Sequence, residues 1–303
     1  MDISVQICSY NRKNLLIKSL EALFQQDYPA DSYEIVLIDD GSSDGTGDAV
    51  KALNPPCRLI YDYQQNAGLA TARNRGIRLA SGRIILFVDD DIIASKSLLK
   101  EHVTTHDRNP MSVVRGWVNH VDSLENTNEK IPVFTIQDIS TSFFWTSNVS
   151  VEKKYLEKAG LFDEDFKEYG WEDLELGMRL KNLGLTLQYN KKALVFHYKS
   201  VWKKQDMPRL LDQARAKART AIIFLEKQPS FKVKLATGMY PGRMLINDLM
   251  DPGGMGTKYC RSVIDAQPEG ELKGTALLCA RQLYTFEYFR TLKQALRAGK
   301  KDR

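Results

Sequence analysis

The 303-residue chain has no apolar run long enough to cross a membrane; nowhere do 18 apolar residues follow one another. It has no C-x-x-C pair. Its four cysteines, Cys8, Cys57, Cys260 and Cys279, are scattered, which excludes both a zinc ribbon and a disulfide framework and leaves reduced thiols. No signal peptide is expected: Met1–Val5 has neither a basic stretch nor an apolar one and enters an alternating strand pattern directly. There is no internal repeat and no low-complexity segment. A cytoplasmic protein is the expectation. The 43% hydrophobic and 27% charged residues fit a globular chain that can bury its own core.

The charge is uneven. Residues 1–202 hold 23 basic and 28 acidic side chains, and residues 203–303 hold 20 and 10. This gives an acidic front near −5 and a basic tail near +10. The chain is therefore read as a catalytic region, 1–202, and a basic, mainly helical extension, 203–303. Within the front, 1–110 and 111–202 form two halves. In the tail, Leu211, Ala214, Ala218, Ile222 and Leu225 fall on one helical face. A last helix over 271–298 carries Leu278, Tyr284, Phe286, Phe289 and Leu292 among basic residues. Such helices could lie on the inner face of an anionic membrane, pack as a plain extension, or join two copies of the chain. Charge alone is no case for nucleic-acid binding.

The first hundred residues alternate strand and helix. Ile3-Val5-Ile7 alternate, Ile35–Ile38 and Ile84–Val88 are short apolar runs, and Leu59–Tyr61 is a further strand. Helical spacing separates them at 13–26 and 69–80. This order predicts a mostly parallel, doubly wound α/β sheet with helices on both faces. Later come a strand over 113–121, a polar loop over 122–142, helices over 152–159 and 171–183, and strands over 185–189 and 193–197.

Ligands of such sheets bind beyond the carboxyl ends of the strands. Two of those ends are acidic, Asp39-Asp40 and Asp89-Asp90-Asp91. Three adjacent carboxylates repel unless a cation neutralises them. Asp89 and Asp91 point to one side of an extended segment, and hard oxygens suit Mg²⁺ or Mn²⁺. A solvated acidic loop would read the same way. His102 and His106, spaced i, i+4, lack the acidic partner of a zinc motif, and His120 matches no ligand spacing.

Five blocks in order carry a resemblance: Val5-x-Ile7-x-Ser9-Tyr10-Asn11-Arg12; Ile38-Asp39-Asp40-Gly41-Ser42; Asn66-x-Gly68-x-x-x-Ala72-Arg73-Asn74; Phe87-Val88-Asp89-Asp90-Asp91; and Trp171-Glu172-Asp173-x-Glu175, followed by Gly184 and His197. Over residues 3–200 the chain resembles family 2 glycosyltransferases with the GT-A fold.

The resemblance implies an inverting transfer from a nucleotide-sugar, UDP-sugar first, to a glycan or lipid-linked acceptor. It places Ser9 and Tyr10, with Arg12 in the same block, at the nucleoside. Asp40 accepts from the base, Asp39 braces its loop, and Arg73 is near the nucleoside or its phosphates. Asp89 contacts ribose or sugar hydroxyls, and Asp90 is grouped with it on the donor. Asp91 holds Mn²⁺ or Mg²⁺, and His197 completes the metal site or touches the diphosphate. Trp145 belongs to a segment lining the donor-sugar pocket. Asp173 is the catalytic base, beside Glu172. The competing classes are a non-catalytic nucleotide-sugar-binding relative and a metal-dependent phosphohydrolase, whose nucleophile-and-lysine set is missing from the chain.

Overall fold

The structure is a computed structural model that describes residues 1–125, 127 and 143–301. Most of the loop expected over 122–142 lies outside the described residues. The chain divides into two compact units: Met1–Lys167 with Glu172–Lys199, and Glu168–Trp171 with Ser200–Arg303.

The first unit begins with strand β1 (Ile3–Ser9), helix α1 (Lys13–Leu23), β2 (Tyr33–Asp39), α2 (Thr46–Lys51), β3 (Arg58–Tyr63), α3 (Leu69–Leu79) and β4 (Ile84–Val88). It continues with β5 (Ile92–Ala94), α4 (Leu98–Arg108), β6 (Ser112–Val121), β7 (Asn148–Glu152), α5 (Lys153–Ala159), α6 (Glu172–Asn182) and β8 (Thr186–Tyr198). One eight-stranded sheet results, ordered β3-β2-β1-β4-β7-β6-β8-β5. The β3-β2-β1-β4 half is parallel, as the apolar runs predict. Beyond β4 the sheet is mixed. β7 runs antiparallel to β4 and β6, β8 is parallel to β6, and β5 is antiparallel to β8.

The strand alternation sends two sets of side chains to opposite faces. Val5, Ile7, Ile35 and Leu37 pack with Leu16 and Leu20 of α1 and Leu98 of α4. Val36, Ile38, Ile85 and Phe87 pack with Ala72 and Ile77 of α3 and Leu176 and Leu180 of α6. Both faces are buried, which is why Ile35–Ile38 of β2 and the whole of β4 are apolar.

The strands expected at 185–189 and 193–197 are one strand, β8. The polar stretch Asn190-Lys191-Lys192 separates them in the sequence. Its register against β6 shifts between Gly116 and Trp117, where Asn190 and Leu194 are the successive partners. The pairing absorbs residues 191–193 as an irregularity, and the strand continues.

The second unit is helical: α7 (Met207–Lys227), α8 (Phe231–Thr237), α9 (Pro241–Met250), α10 (Met255–Asp265) and α11 (Gly274–Lys301). Leu211, Ala214 and Ala218 of α7 are buried, as their spacing predicts. Phe286, Phe289 and Leu292 of α11 are buried too, but Leu278 is 65% exposed. On α9, Leu245, Ile246, Leu249 and Met250 are also exposed.

Candidate active site

The parallel half places its functional groups by register. Ser9 at the end of β1 pairs with Asp39 at the end of β2. β4 lies on the other side of β1 and leads into Asp89-Asp90-Asp91. The strand order reverses about β1, so these ends open the crevice where such sheets bind ligands.

The acids are held from several sides. Ser9 Oγ donates to Asp90 Oδ2 at 2.7 Å. Arg12 Nη1 lies 2.9 Å from Asp90 Oδ1, and its Nη2 pairs with Asp91 Oδ2. Ser19 Oγ of α1 donates to the Asp90 carbonyl at 2.9 Å and accepts from the Ile92 amide at 3.0 Å, fixing the backbone of the run.

β5 and β8 then bring in a residue more than a hundred positions away. Ile92 pairs with His197, and the Tyr198 amide donates to the Asp91 carbonyl at 2.9 Å. His197 Nε2 therefore stands 3.2 Å from Asp89 Oδ2 and 3.1 Å from Asp91 Oδ1. Asp89, Asp91 and His197 each offer one ligand atom, all within 4.8 Å of one another.

This trio fits a divalent metal. Two carboxylate oxygens and an imidazole nitrogen are a suitable donor set. Asp91 Oδ1 is buried without a geometrically sound hydrogen bond, and so has an open lone pair. The charges of the three residues compensate one another. Burial disfavours the His197 cation, but the neighbouring Asp89 and Asp91 carboxylates outweigh it and raise its pKa to about 10. Burial likewise opposes ionisation of Asp89, yet His197 and Ser147 hold it down at about 2. Asp90 moves the other way. Burial raises it to about 7, and Asp91 and Asp89 add to the rise against Arg12 and Ser9. Asp90 is thus engaged by Ser9 and Arg12 and is not one of the trio.

Asp39 and Asp40 behave differently. Asp39 accepts from the Ser42 amide and the Tyr61 hydroxyl, both at 2.8 Å. Asp40 accepts from Gln64 Nε2 at 2.7 Å and from the Ala67 and Gly68 amides at 2.9 and 3.2 Å. Gly68 has φ +91°, and a Cβ there would meet the Lys167 carbonyl at 2.7 Å. Only glycine presents its amide to Asp40 in this way.

The third acidic element is the start of α6. Buried Arg73 of α3 donates to Glu172 Oε1 at 2.7 Å and to Thr146 Oγ1 at 2.6 Å. Its guanidinium also lies over the Phe162 ring. The Arg73 donors named here point to protein groups. Asp173 is partly buried and accepts from the Leu174 amide at 2.7 Å and from the Thr146 amide. Burial and then the Glu172 charge push its pKa up to about 7, while Arg73 pulls it down. Thr146 thus touches Asp173 and the next residue, Ser147, touches Asp89. This dipeptide joins the candidate base to the acidic trio.

Two candidate residues remain, Tyr10 and Trp145. Tyr10 is 50% exposed. The Trp145 ring stacks on the Arg115 guanidinium at 5.4 Å, with Tyr189 on that guanidinium at 5.2 Å. Sequence reading missed the roles of Ser19, Thr146 and Ser147. Thr146 and Ser147 do lie in the small-residue segment singled out beside Trp145. His102 and His106 serve structure: His102 contacts Ser150 Oγ and Asn148 Oδ1, and His106 contacts Ser150 Oγ. Burial drives both pKa values down, to about 4 and 3, so both rings are neutral.

Comparison with solved structures defines the class of fold. Across 96% of this chain and 85% of the other, it matches a mannosyltransferase from Pyrobaculum calidifontis, solved with GDP-Man and Mn²⁺, at TM-score 0.63 and 20% identity. It also matches S. aureus TarS in complex with UDP-GlcNAc, over 98% and 92% of the two chains, at TM-score 0.55 and 18% identity. The architecture is the GT-A fold with a helical C-terminal part.

The sequence profile of glycosyl transferase family 2 matches residues 4–159, and the chain belongs to that family. It is 30% identical over 227 residues to validoxylamine A glucosyltransferase of Streptomyces hygroscopicus subsp. jinggangensis, covering 63% of this chain and 54% of that one. It is 29% identical over 254 residues to the uncharacterized glycosyltransferase YfnE of Bacillus subtilis, covering 65% and 64%. The chain spans about half the length of the first of these relatives.

Proposed function

We propose that this chain is an inverting, metal-dependent hexosyltransferase that takes its sugar from a nucleoside-diphosphate donor. One observation carries the reading: the Asp89–Asp91–His197 trio is tied to Asp173 through consecutive residues, Ser147 and Thr146. A metal at one end and a base at the other are what a single displacement at a sugar carbon requires.

Asp89, Asp91 and His197 would hold Mn²⁺ or Mg²⁺, which neutralises charge on the departing diphosphate. Ser9, Tyr10 and Arg12 line the nucleoside end, with Asp40 bracing the loop beside it, and Asp89 with Asp90 line the donor side. Asp173 takes the proton of the acceptor hydroxyl as that oxygen bonds to C1 and the bond from C1 to the diphosphate breaks. One in-line step inverts the anomeric centre, without the nucleophilic carboxylate of a retaining hydrolase. Glu172, bound to Arg73, keeps the start of α6 in place. Arg73 acts from behind the base rather than on the phosphates, because its Nη1 and Nη2 donate to Glu172 and Thr146.

The acceptor is a hydroxyl of a glycan or lipid-linked glycan. The exposed apolar face of α9 supports peripheral contact with an anionic membrane from the cytoplasmic side. Among the described residues no helix is long and apolar enough to cross a membrane.

Calorimetric titration with UDP and GDP, with and without Mn²⁺, tests the reading. Micromolar binding that requires Mn²⁺ is expected for one of them. No binding of either nucleotide in the presence of Mn²⁺ would remove it.

A further inference from the structure

Arg12 holds two carboxylates with one guanidinium. Its Nη1 lies 2.9 Å from Asp90 Oδ1, and its Nη2 pairs with Asp91 Oδ2. Ser9 Oγ donates to the other Asp90 oxygen, Oδ2, at 2.7 Å, so both oxygens of Asp90 are engaged. Asp91 is divided. Its Oδ2 is bound to Arg12, whereas Oδ1 has no geometrically sound hydrogen bond and stands 3.1 Å from His197 Nε2. An ion held by Asp89, Asp91 and His197 therefore finds one open oxygen on Asp91 and none on Asp90.

The backbone fixes Arg12 from both sides. Asn11, just before it, has φ +53°, a left-handed conformation that asparagine tolerates better than most residues. The Asn11 amide donates to Ser42 Oγ at 2.9 Å, and Asn11 Oδ1 accepts from the Ser43 amide at 2.8 Å. The Arg12 carbonyl accepts from the Leu15 and Leu16 amides, both at 3.0 Å, and so opens α1. From the same helix, Ser19 Oγ holds the Asp90 carbonyl and the Ile92 amide. Guanidinium and acids are thus set against each other by one helix. A guanidinium carries its donors in a rigid planar fork, so its two arms serve two carboxylates at once. A lysine ammonium is a single point charge.

Resting on the metal-dependent reading above, we infer that Arg12 determines which ion the trio accepts, selecting Mn²⁺ or Mg²⁺ over Ca²⁺ by keeping carboxylate oxygens away from it. Ca²⁺ takes about six to eight oxygen ligands and readily chelates a carboxylate through both oxygens. Mg²⁺ is smaller, keeps several waters and needs only one or two carboxylates beside a substrate phosphate. Arg12 withholds one oxygen of Asp91 and one of Asp90, which the larger ion would use. The His197 nitrogen in the trio also suits a transition metal better than Ca²⁺. The positive charge of Arg12 opposes every divalent ion alike. Its hold on particular oxygens is what discriminates between them.

The experiment follows Mn²⁺ binding to the whole chain by electron paramagnetic resonance, alone and with UDP or GDP, and titrates Ca²⁺ as the competitor. The parent should bind Mn²⁺ roughly tenfold or more tighter than Ca²⁺. Arg12→Ala should bind both ions more tightly, with the gain for Ca²⁺ roughly tenfold the larger, so that the preference shrinks. Arg12→Lys keeps the charge but loses one arm, and its preference should fall between the two. Asp91→Ala should weaken both ions. The Arg12 side chain is 41% exposed, so its truncation should spare the fold, and melting curves check this. An equal gain for both ions in Arg12→Ala, or an Arg12→Lys protein that matches the parent, would show that Arg12 acts by charge alone and overturn the inference. A parent without preference for Mn²⁺ would overturn it too. Undiminished Mn²⁺ binding in Asp91→Ala, or no Mn²⁺ binding by the parent with or without either nucleotide, would instead overturn the metal reading beneath it.

Discussion

Two strands of the same sheet end in acids, and the two ends do opposite things. After β2, Asp39 and Asp40 are enclosed by donors from their own surroundings: the Ser42, Ala67 and Gly68 amides, Gln64 and Tyr61. After β4, Asp89 and Asp91 turn toward each other and His197, and Asp91 Oδ1 is left without a sound hydrogen bond. The first end spends its charge on loop structure. The second keeps charge in excess, compensated by Arg12 and His197. An acidic strand end is therefore not a metal site by composition. It becomes one when no backbone amides satisfy it and a third ligand arrives from elsewhere.

The largest effect is expected at a third acidic element, the start of α6. Asp173→Asn should lower transfer by about a hundredfold or more, the contribution of a general base. Mn²⁺-dependent UDP affinity should stay near that of the parent. The pH profile sharpens the point. Burial and Glu172 put the Asp173 pKa at about 7, and only the ionised form accepts a proton. Transfer by the parent should rise with pH through about 7 and then level off. A parent profile flat from pH 5 to 9 would show that another group is the base.

Next in size is Asp91→Ala. The gain in UDP affinity that Mn²⁺ confers should fall by roughly ten- to a hundredfold, the range seen when a metal site loses a supporting group. Its stability should change little, because removing one of three adjacent carboxylates relieves repulsion. An intact Mn²⁺ effect measured by calorimetry would break the assignment.

The smallest effect is on stability. Asp40→Ala strands the Gln64 side chain and the Ala67 and Gly68 amides, at a cost of about 1–3 kcal/mol. Urea unfolding of Asp40→Ala and Asp91→Ala side by side tests the contrast directly. Equal destabilisation of the two would erase the distinction between a structural and a ligating strand end.

The sequence alone determined the parallel half of the sheet. Short apolar runs closed by turn residues and alternating with helical patterns fit buried parallel strands, and α1, α3 and β4 lie within a few residues of where periodicity puts them. The acids after β2 and β4, and those opening α6, were equally visible, because each follows or starts a regular element. Tertiary structure decided which acids come together with His197. Asp89 and Asp91 meet His197 only because β5 pairs antiparallel with β8, a contact spanning more than a hundred residues that no local pattern encodes. It also gave Arg73, which the motif puts near the nucleoside or its phosphates, the partners Glu172 and Thr146. Periodicity reports which side of an element is buried. It does not report which buried donor lies opposite which acceptor, and that pairing distinguishes a loop brace from a metal ligand.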